Sequence, residues 1–397
     1  MNKYIISYNI DELEKKQILS EAKVLYKSKM INGTQYDKIR EEIKSELYSP
    51  TIFIRILLFI LSYIGMTTVI APIGLMFSAI AEIIKIGDIG FRVLAVMLGV
   101  SLIWFTEKVL ILGKNHYKSG VTEAGIYSGT LFIMFGVLGF GENIEIGYLI
   151  LGFLFSAIIA VRYLDLLALI VSMTCFSNLL YKIIHAIGGV TEAFMPFIFF
   201  SIFLSIFLAC TTLEKRLKSF VFNDHLIIAK AISLLVVYAS VNYFVVRELS
   251  INLMGLTIAK GQDIPLAIVF YALTALLPFI YIGYGIIKRS VLILRVGLLI
   301  CALSVITFKY YFSLGKPVIT LTVAGVILIA ISLWLMNYLK VMRNGFTREN
   351  MINDKWLSED MSAIIISQTL GGNKPIDNKN ESFGGGRSGG AGARSIW

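Results

Sequence analysis

The sequence predicts an all-α fold, a polytopic transmembrane helical bundle of about ten spans with a small helical hairpin before it and a Gly-rich tail after it. Composition is the first observation behind that prediction. Of 397 residues, 57% are hydrophobic and 16% charged, against about 45–50% and about 25% in soluble domains. One soluble core cannot hide that much apolar surface, and the bilayer is the simpler solvent for it. The second observation is the run of long apolar stretches from Thr51 to Tyr338, separated by short polar breaks. A span needs about 20 mostly apolar residues to cross roughly 30 Å of hydrocarbon. The third is the placement of charge. The formal net charge is +10, yet residues 1–50 are nearly neutral, and the excess falls mostly in loops and span ends, as the positive-inside rule expects. That placement reads as topology first and anionic-lipid contact second, and nucleic acid is not an expected partner.

Residues 1–50 read as a cytoplasmic amphipathic hairpin. Leu13, Ile18, Leu19, Ala22, Leu25 and Met30 recur at helical spacing and stop at Asn32-Gly33, a turn dipeptide. Thr34, three residues before Asp37, looks like a capping-box start. Tyr36, Ile39, Ile43 and Leu47 form a second stripe, and Pro50 closes the segment. Narrow stripes of this kind pack on each other, on the membrane core or on a second copy of the chain. A homo-oligomer is therefore among the arrangements the sequence allows. No continuous apolar stretch in 1–50 reads as the h-region of a signal peptide.

The membrane domain is expected over 51–338, with candidate spans at 52–80, 91–112, 121–140, 146–161, 165–184, 194–212, 226–246, 265–286, 291–311 and 317–338. The first is overlong, and Pro72-Ile73-Gly74 either bends one tilted helix or turns a tight hairpin of two. One helix is the preferred reading, because each half alone is short and no polar residue beside the proline suits a surface loop. With the N-terminus inside, the inside loops hold Lys114, Lys118, Arg162, Lys215, Arg216, Lys218, Lys288 and Arg289. The outside loop 141–145 holds no basic residue. Ten spans leave both termini in the cytoplasm; eleven would move the tail outside.

A juxtamembrane segment follows over 339–370, and then a Gly-rich tail over 371–397 ending in FGGGRSGGAGARSIW. That tail cannot bury enough apolar area to offset its ordering entropy and is expected to be disordered. Arg394 and Trp397 are its candidate partner-binding residues, an aromatic anchor and a terminal carboxylate being a known mode of peptide capture.

Ionisable residues inside a span are costly and each is a functional candidate. The candidate intramembrane polar site is Glu82, Glu123, Arg162, Asp165 and Arg295. Glu82 clusters with Lys85 and Asp88 at the outer end of the first span, and Glu123 lies just inside the third. Arg162 and Asp165 sit three apart at a tight turn, so they can pair on one helix face. Arg295 and Lys309 flank the ninth span. Arg55, Lys108 and Lys230 lie near span ends, where snorkelling explains them.

Catalytic signatures are absent from the sequence. His116, His185 and His225 lie in loops or at span edges, in no metal-ligand spacing. Asp224-His225 reads as a helix-start charge. There is no Walker A loop and no GxSxG elbow. Cys175, Cys210 and Cys301 lie in apolar runs and read as small buried hydrophobes. No catalytic residue, metal or cofactor is expected. Gly125-xxx-Gly129 fits close helix packing.

The segments AKVLYKSKMINGTQYDKIREEI and ILRVGLLICALSVITFKYYFSLGKPVITLTVAGVILIAISLWLMNYL resemble the opening helical pair and the last two spans of uncharacterised bacterial multi-pass membrane proteins of the domain-of-unknown-function kind. That resemblance implies a hairpin plus about ten spans in a bacterial inner membrane, and carries no known activity. The tail is similar to the Gly-rich C-terminus of bacterial TPM-domain membrane proteins, departing from it at Ala393, Arg394 and Ile396. With no recognisable TPM domain in the chain, none of that family's phosphatase-like associations transfer. Three functions stand in order: a non-enzymatic envelope assembly, signalling or scaffolding protein, then a small-solute or ion transporter or channel, then a membrane-embedded enzyme. The partners implied are the lipid bilayer, a cytoplasmic protein for the tail and a second copy of the chain.

Overall fold

A computed structural model of the chain describes residues 5–28, 30–84, 87–139, 144–189, 194–217, 220–252 and 263–311, with scattered helical positions between Thr322 and Tyr338. The described residues are all-helical, without a β-strand. Two short helices come first, α1 (Ile10–Lys27) and α2 (Gly33–Glu42). Asn9 caps α1 by accepting the Asp11 N–H at 3.0 Å. The start of α2 falls at Asn32 rather than at Thr34. Asn32 accepts the Gln35 N–H at 2.8 Å while the Gln35 side chain accepts the Asn32 N–H at 2.9 Å, a reciprocal capping box. The rings of Tyr26 and Tyr36 stack at 5.1 Å and close the hairpin. The expected apolar stripe of α1 is only partly buried: Leu13 and Ala22 are covered, whereas Ile18 and Met30 are exposed.

Nine of the described helices are long and apolar enough to cross a membrane. The first, α3 (Ile52–Ile84), is a single helix with Pro72 inside it, as the sequence reading preferred. No residue of α3 between Ile52 and Met76 is buried. Leu61, Ile64, Val69 and Leu75 are each more than half exposed, and so continuous an apolar surface requires lipid around it. The chain is an integral membrane protein. Next come α4, from Gly87 to Lys114 with a π-turn at Thr106–Ile111, then α5 (Val121–Leu138), α6 (Glu145–Arg162), α7 (Leu166–Ile187) and α8 (Met195–Leu217).

The seventh span, expected to run to 246, stops at Val241. Here α9 (Asn223–Val241) gives way to a separate helix, α10 (Tyr243–Asn252). The cause is Asn242, whose extended backbone and side-chain oxygen, accepting the Val245 N–H at 3.2 Å, start a new helix in the manner of an N-cap. The last two described spans are α11 (Ala267–Ile287) and α12 (Val291–Tyr311). The tenth candidate, 317–338, falls mostly outside the described residues. The segment 339–370 and the tail 371–397 lie outside them entirely.

Consecutive spans pair antiparallel, α4 with α5, α6 with α7, α8 with α9 and α11 with α12, and α9 also touches α7, α11 and α12. One apolar core forms among α8, α9, α11 and α12 around Phe203, Val237, Val241 and Ile300. A second gathers Ile111, Ile126, Ile159 and Ala168 with Ile6, Tyr8 and Leu13 from the N-terminal segment. The hairpin is therefore docked on one end of the bundle, where the turns after α4, α6 and α8 lie. The α4–α5 seam is tight. A Cβ on Gly129 would stand 2.7 Å from the Ile103 side chain and 2.8 Å from the Gly99 carbonyl, so the two helices meet at backbone distance. Gly129→Leu is expected to cost about 1–3 kcal/mol through overpacking, with Gly129→Ala in between. A detergent thermal-unfolding midpoint that is unmoved by the leucine variant would refute that seam.

Candidate functional site

The hairpin end of the bundle collects most of its buried charge. Its centre is Glu123, in the first turn of α5 and 8% exposed. Gly120, left-handed at φ +90°, donates its N–H to Glu123 Oε2 at 2.7 Å. The Thr122 hydroxyl donates to the same oxygen at 2.9 Å. Arg55, from the first turn of α3, donates to Oε1 at 2.5 Å. A Cβ on Gly120 would lie 2.1 Å from the Arg55 carbonyl, so only glycine lets α3 come this close. Arg55, which the sequence assigns to snorkelling, is thus a cross-helix ion-pair partner.

A second clamp lies beside it. The π-turn of α4 carries Glu107, whose carboxylate accepts two hydrogen bonds from Arg162, Nε at 3.1 Å and Nη2, and one from the Tyr163 hydroxyl at 2.9 Å. Inserting a π-turn shifts the phase of a helix and is frequent at functional sites; here it belongs to the turn that supplies Glu107. Burial, and then the Glu107 charge, push the Tyr163 hydroxyl up to about 12, so it stays a donor.

Asp165 makes the third contact. It caps α7 by accepting the Ala168 N–H at 2.9 Å, and its other oxygen accepts the Tyr127 hydroxyl at 2.7 Å. The shared helix face expected for Arg162 and Asp165 does not exist, because Arg162 ends α6 and Asp165 begins α7.

The N-terminal segment closes over this cluster. Ser7 donates its N–H to the Arg162 carbonyl at 2.9 Å, the Tyr48 N–H goes to the Asn115 carbonyl at 2.9 Å, and Tyr117 N–H returns to the Tyr48 carbonyl at 2.9 Å. Loop 115–120 holds three left-handed residues, Asn115, Lys118 and Gly120. Two of these carry a Cβ and are strained there. Tyr8 packs edge-on against Tyr117 at 4.9 Å. Burial, reinforced by Glu123, raises the Tyr8 hydroxyl well above its ordinary range. His116 contacts Ser119 at 3.0 Å, and burial lowers its affinity for a proton.

Of the five predicted site residues, Glu123, Arg162 and Asp165 come together here. Glu82 lies in the last turn of α3, toward the opposite end, with its side chain outside the described residues. Arg295 is exposed on α12. Arg394 and Trp397 lie outside the described residues. Sequence reasoning misses Glu107 and Tyr127, whose roles depend on helices far apart in the chain.

At the opposite end, the break at Asn242 forms a second polar seam. Asn242 donates to the Tyr238 and Thr307 hydroxyl oxygens at 2.9 and 3.1 Å. The Thr274 hydroxyl oxygen accepts the Tyr243 N–H at 2.9 Å, and Ser304 donates to the Thr274 carbonyl at 2.8 Å. Beyond it, Asp263 accepts from the Tyr243 hydroxyl at 2.5 Å and from Tyr271 at 3.1 Å. Burial works against that carboxylate, but these hydrogen bonds and the Ile264 N–H hold it below the usual range.

These arrangements position helices; their carboxylates are occupied by arginine, tyrosine and backbone donors. Among the described residues no group of three His, Cys, Asp or Glu side chains is placed to hold a metal ion. No family model, curated protein or solved structure matches the chain. A double-mutant cycle of Glu107→Gln and Arg162→Gln should return a coupling of about 1–3 kcal/mol, as for charge-assisted hydrogen bonds. Partial exposure of Arg162 places it in the lower part of that range. Additive losses would show that the clamp does not operate.

Proposed function

We propose that the chain is a non-enzymatic multi-pass protein of the bacterial inner membrane, with both termini cytoplasmic, that works in envelope assembly, signalling or scaffolding through its docked hairpin. The observation that carries this reading is the double attachment of the hairpin, at Arg162 and at loop 115–120, over carboxylates already occupied by structural partners. Such a module reports on the bundle and presents a surface away from it. That surface is the hairpin tip, where Tyr26, Lys27, Met30, Ile31, Asn32 and Gln35 line an open groove of about 680 Å³. The bacterial assignment draws on the resemblance of the hairpin and the closing spans, and the cytoplasmic one on loop charge. Arg394 and Trp397 supply a second contact in this reading, a leashed ligand for the same cytoplasmic partner.

Photo-crosslinking amino acids at Tyr26 and Met30 test it in living cells. Discrete protein adducts from these positions, but not from exposed Leu112 on the bundle, are expected. An absence of adducts at both tip positions would overturn the proposal.

A transporter is the second reading, and one observation favours it: a helix interrupted at Asn242 beside buried Thr274, Ser304 and Thr307. Interrupted helices build solute sites in many transporters. Asn242→Ala should then reduce solute or ion flux into proteoliposomes at least about tenfold, the loss of about 1.4 kcal/mol of binding or more. Wild-type protein that passes no tested ion or small solute would rule against this reading.

A further inference from the structure

Two polar side chains of the hairpin segment are buried at its seam with the bundle without a hydrogen-bond partner: the Ser7 hydroxyl and the Lys16 ammonium. Lys16 is the one with the strongest consequence. Its nitrogen sits 4.6 Å above the Tyr117 ring, while Lys118 approaches the same ring at 5.4 Å. The charged groups that act on it from the packed elements, Lys118 of loop 115–120 and Arg55 of α3, are both cations. On its own helix, Glu12 is already held by Lys15 at 2.7 Å and by the Glu46 N–H at 2.7 Å. The Glu123 charge is taken up by Arg55. A protonated Lys16 therefore meets two like charges and one aromatic face, which compensates only in part.

We propose that α1 is a proton-released strap: it closes over loop 115–120 when Lys16 is neutral and lifts from the bundle when Lys16 takes up a proton. The proposal rests on the reading of the hairpin as the working surface and names what regulates it. Burial, then Lys118 and Arg55, bring the Lys16 pKa down to about 8 from about 10.4 in a free chain. Between these values the released strap binds more protons than the closed one, so closure strengthens as pH rises through that window and weakens as pH falls toward 8. Below about 8 both states are protonated and closure stays at its weaker level.

A separate acid effect comes from Glu12. Its hydrogen bonds to Lys15 and the Glu46 N–H, helped by the Lys15 charge, hold its carboxyl below the ordinary range. Its contribution to the hairpin is lost only as pH falls below about 4, far from the Lys16 window.

The test uses the full chain in lipid nanodiscs, with Cys175, Cys210 and Cys301 replaced by alanine and spin labels at Glu21→Cys and Lys114→Cys, both exposed positions. Pulsed electron spin resonance then reads a closed and a lifted distance. The ratio of closed to lifted populations should rise about tenfold between pH 7 and pH 10, an expectation already reduced for solvent screening. Lys16→Met should be closed at both pH values, and Lys16→Gln supplies the same test if methionine misfolds. Lys16→Arg, which keeps its charge, should stay at the weaker level throughout. A flat wild-type ratio, or an unchanged pH response in Lys16→Met, overturns the strap. Because no partner protein is present, that failure is separate from the crosslinking outcome at Tyr26 and Met30.

Discussion

The Glu123 carboxylate is the constraint on which the hairpin end of this bundle depends. One buried charge accepts from an arginine on α3, a hydroxyl on α5 and the backbone of the loop between α4 and α5. Removing such a charge from water is costly unless every lone pair is used, and here the carboxylate has three donors. The close approach of α3 follows from that pair together with the bare Cα of Gly120. Loop 115–120 is then fixed in a strained path, which positions Tyr117 and Lys118 under the hairpin. The Glu107–Arg162 clamp performs the same service for α4 and α6, and the backbone of Arg162 then anchors Ser7.

Polar chemistry in this protein is divided between the two ends of the bundle. At the hairpin end, full charges are buried in pairs that join helices distant in sequence. At the opposite end, Asn242, Thr274, Ser304 and Thr307 form a neutral network around a broken helix, with the Asp263 carboxylate and the Lys182–Glu145 ion pair beyond it. Neutral groups with hydroxyl partners cost far less to bury than ions, and they leave the backbone of α10 free to start in a new direction. Between the two ends the spans are joined by apolar packing and by glycine contacts at the α4–α5 seam.

Much of the architecture is legible in the sequence because it rests on period and length. Long apolar stretches give nine of the expected spans, and the preference for one helix through Pro72 matches α3. The capping start of α2 is misread by two residues, since Asn32 competes with Thr34 for the same role. The break at Asn242 is not legible, because a single asparagine in an apolar helix is compatible with a continuous span until its partners on α12 are known. The site shows the same limit. Glu123, Arg162 and Asp165 stand out as charges, but their partners Arg55, Glu107 and Tyr127 lie 38 to 68 residues away along the chain. Lys16 is one of many lysines in a polar hairpin, and only the covering of its nitrogen by other elements distinguishes it.

The Ser7–Arg162 hydrogen bond also sets an order of assembly. Antiparallel neighbours such as α4 and α5 are consecutive in the chain, so each pair can form while the next is still being synthesised. The N-terminal segment pairs within itself, α1 with α2, but its attachment to the bundle is distant in the chain. Its anchor is the final residue of α6, so it can close only once the four spans α3 to α6 are in place. Until then the apolar residues it buries against the bundle, Ile6, Tyr8 and Leu13, have no cover, and its closure follows the completion of α6.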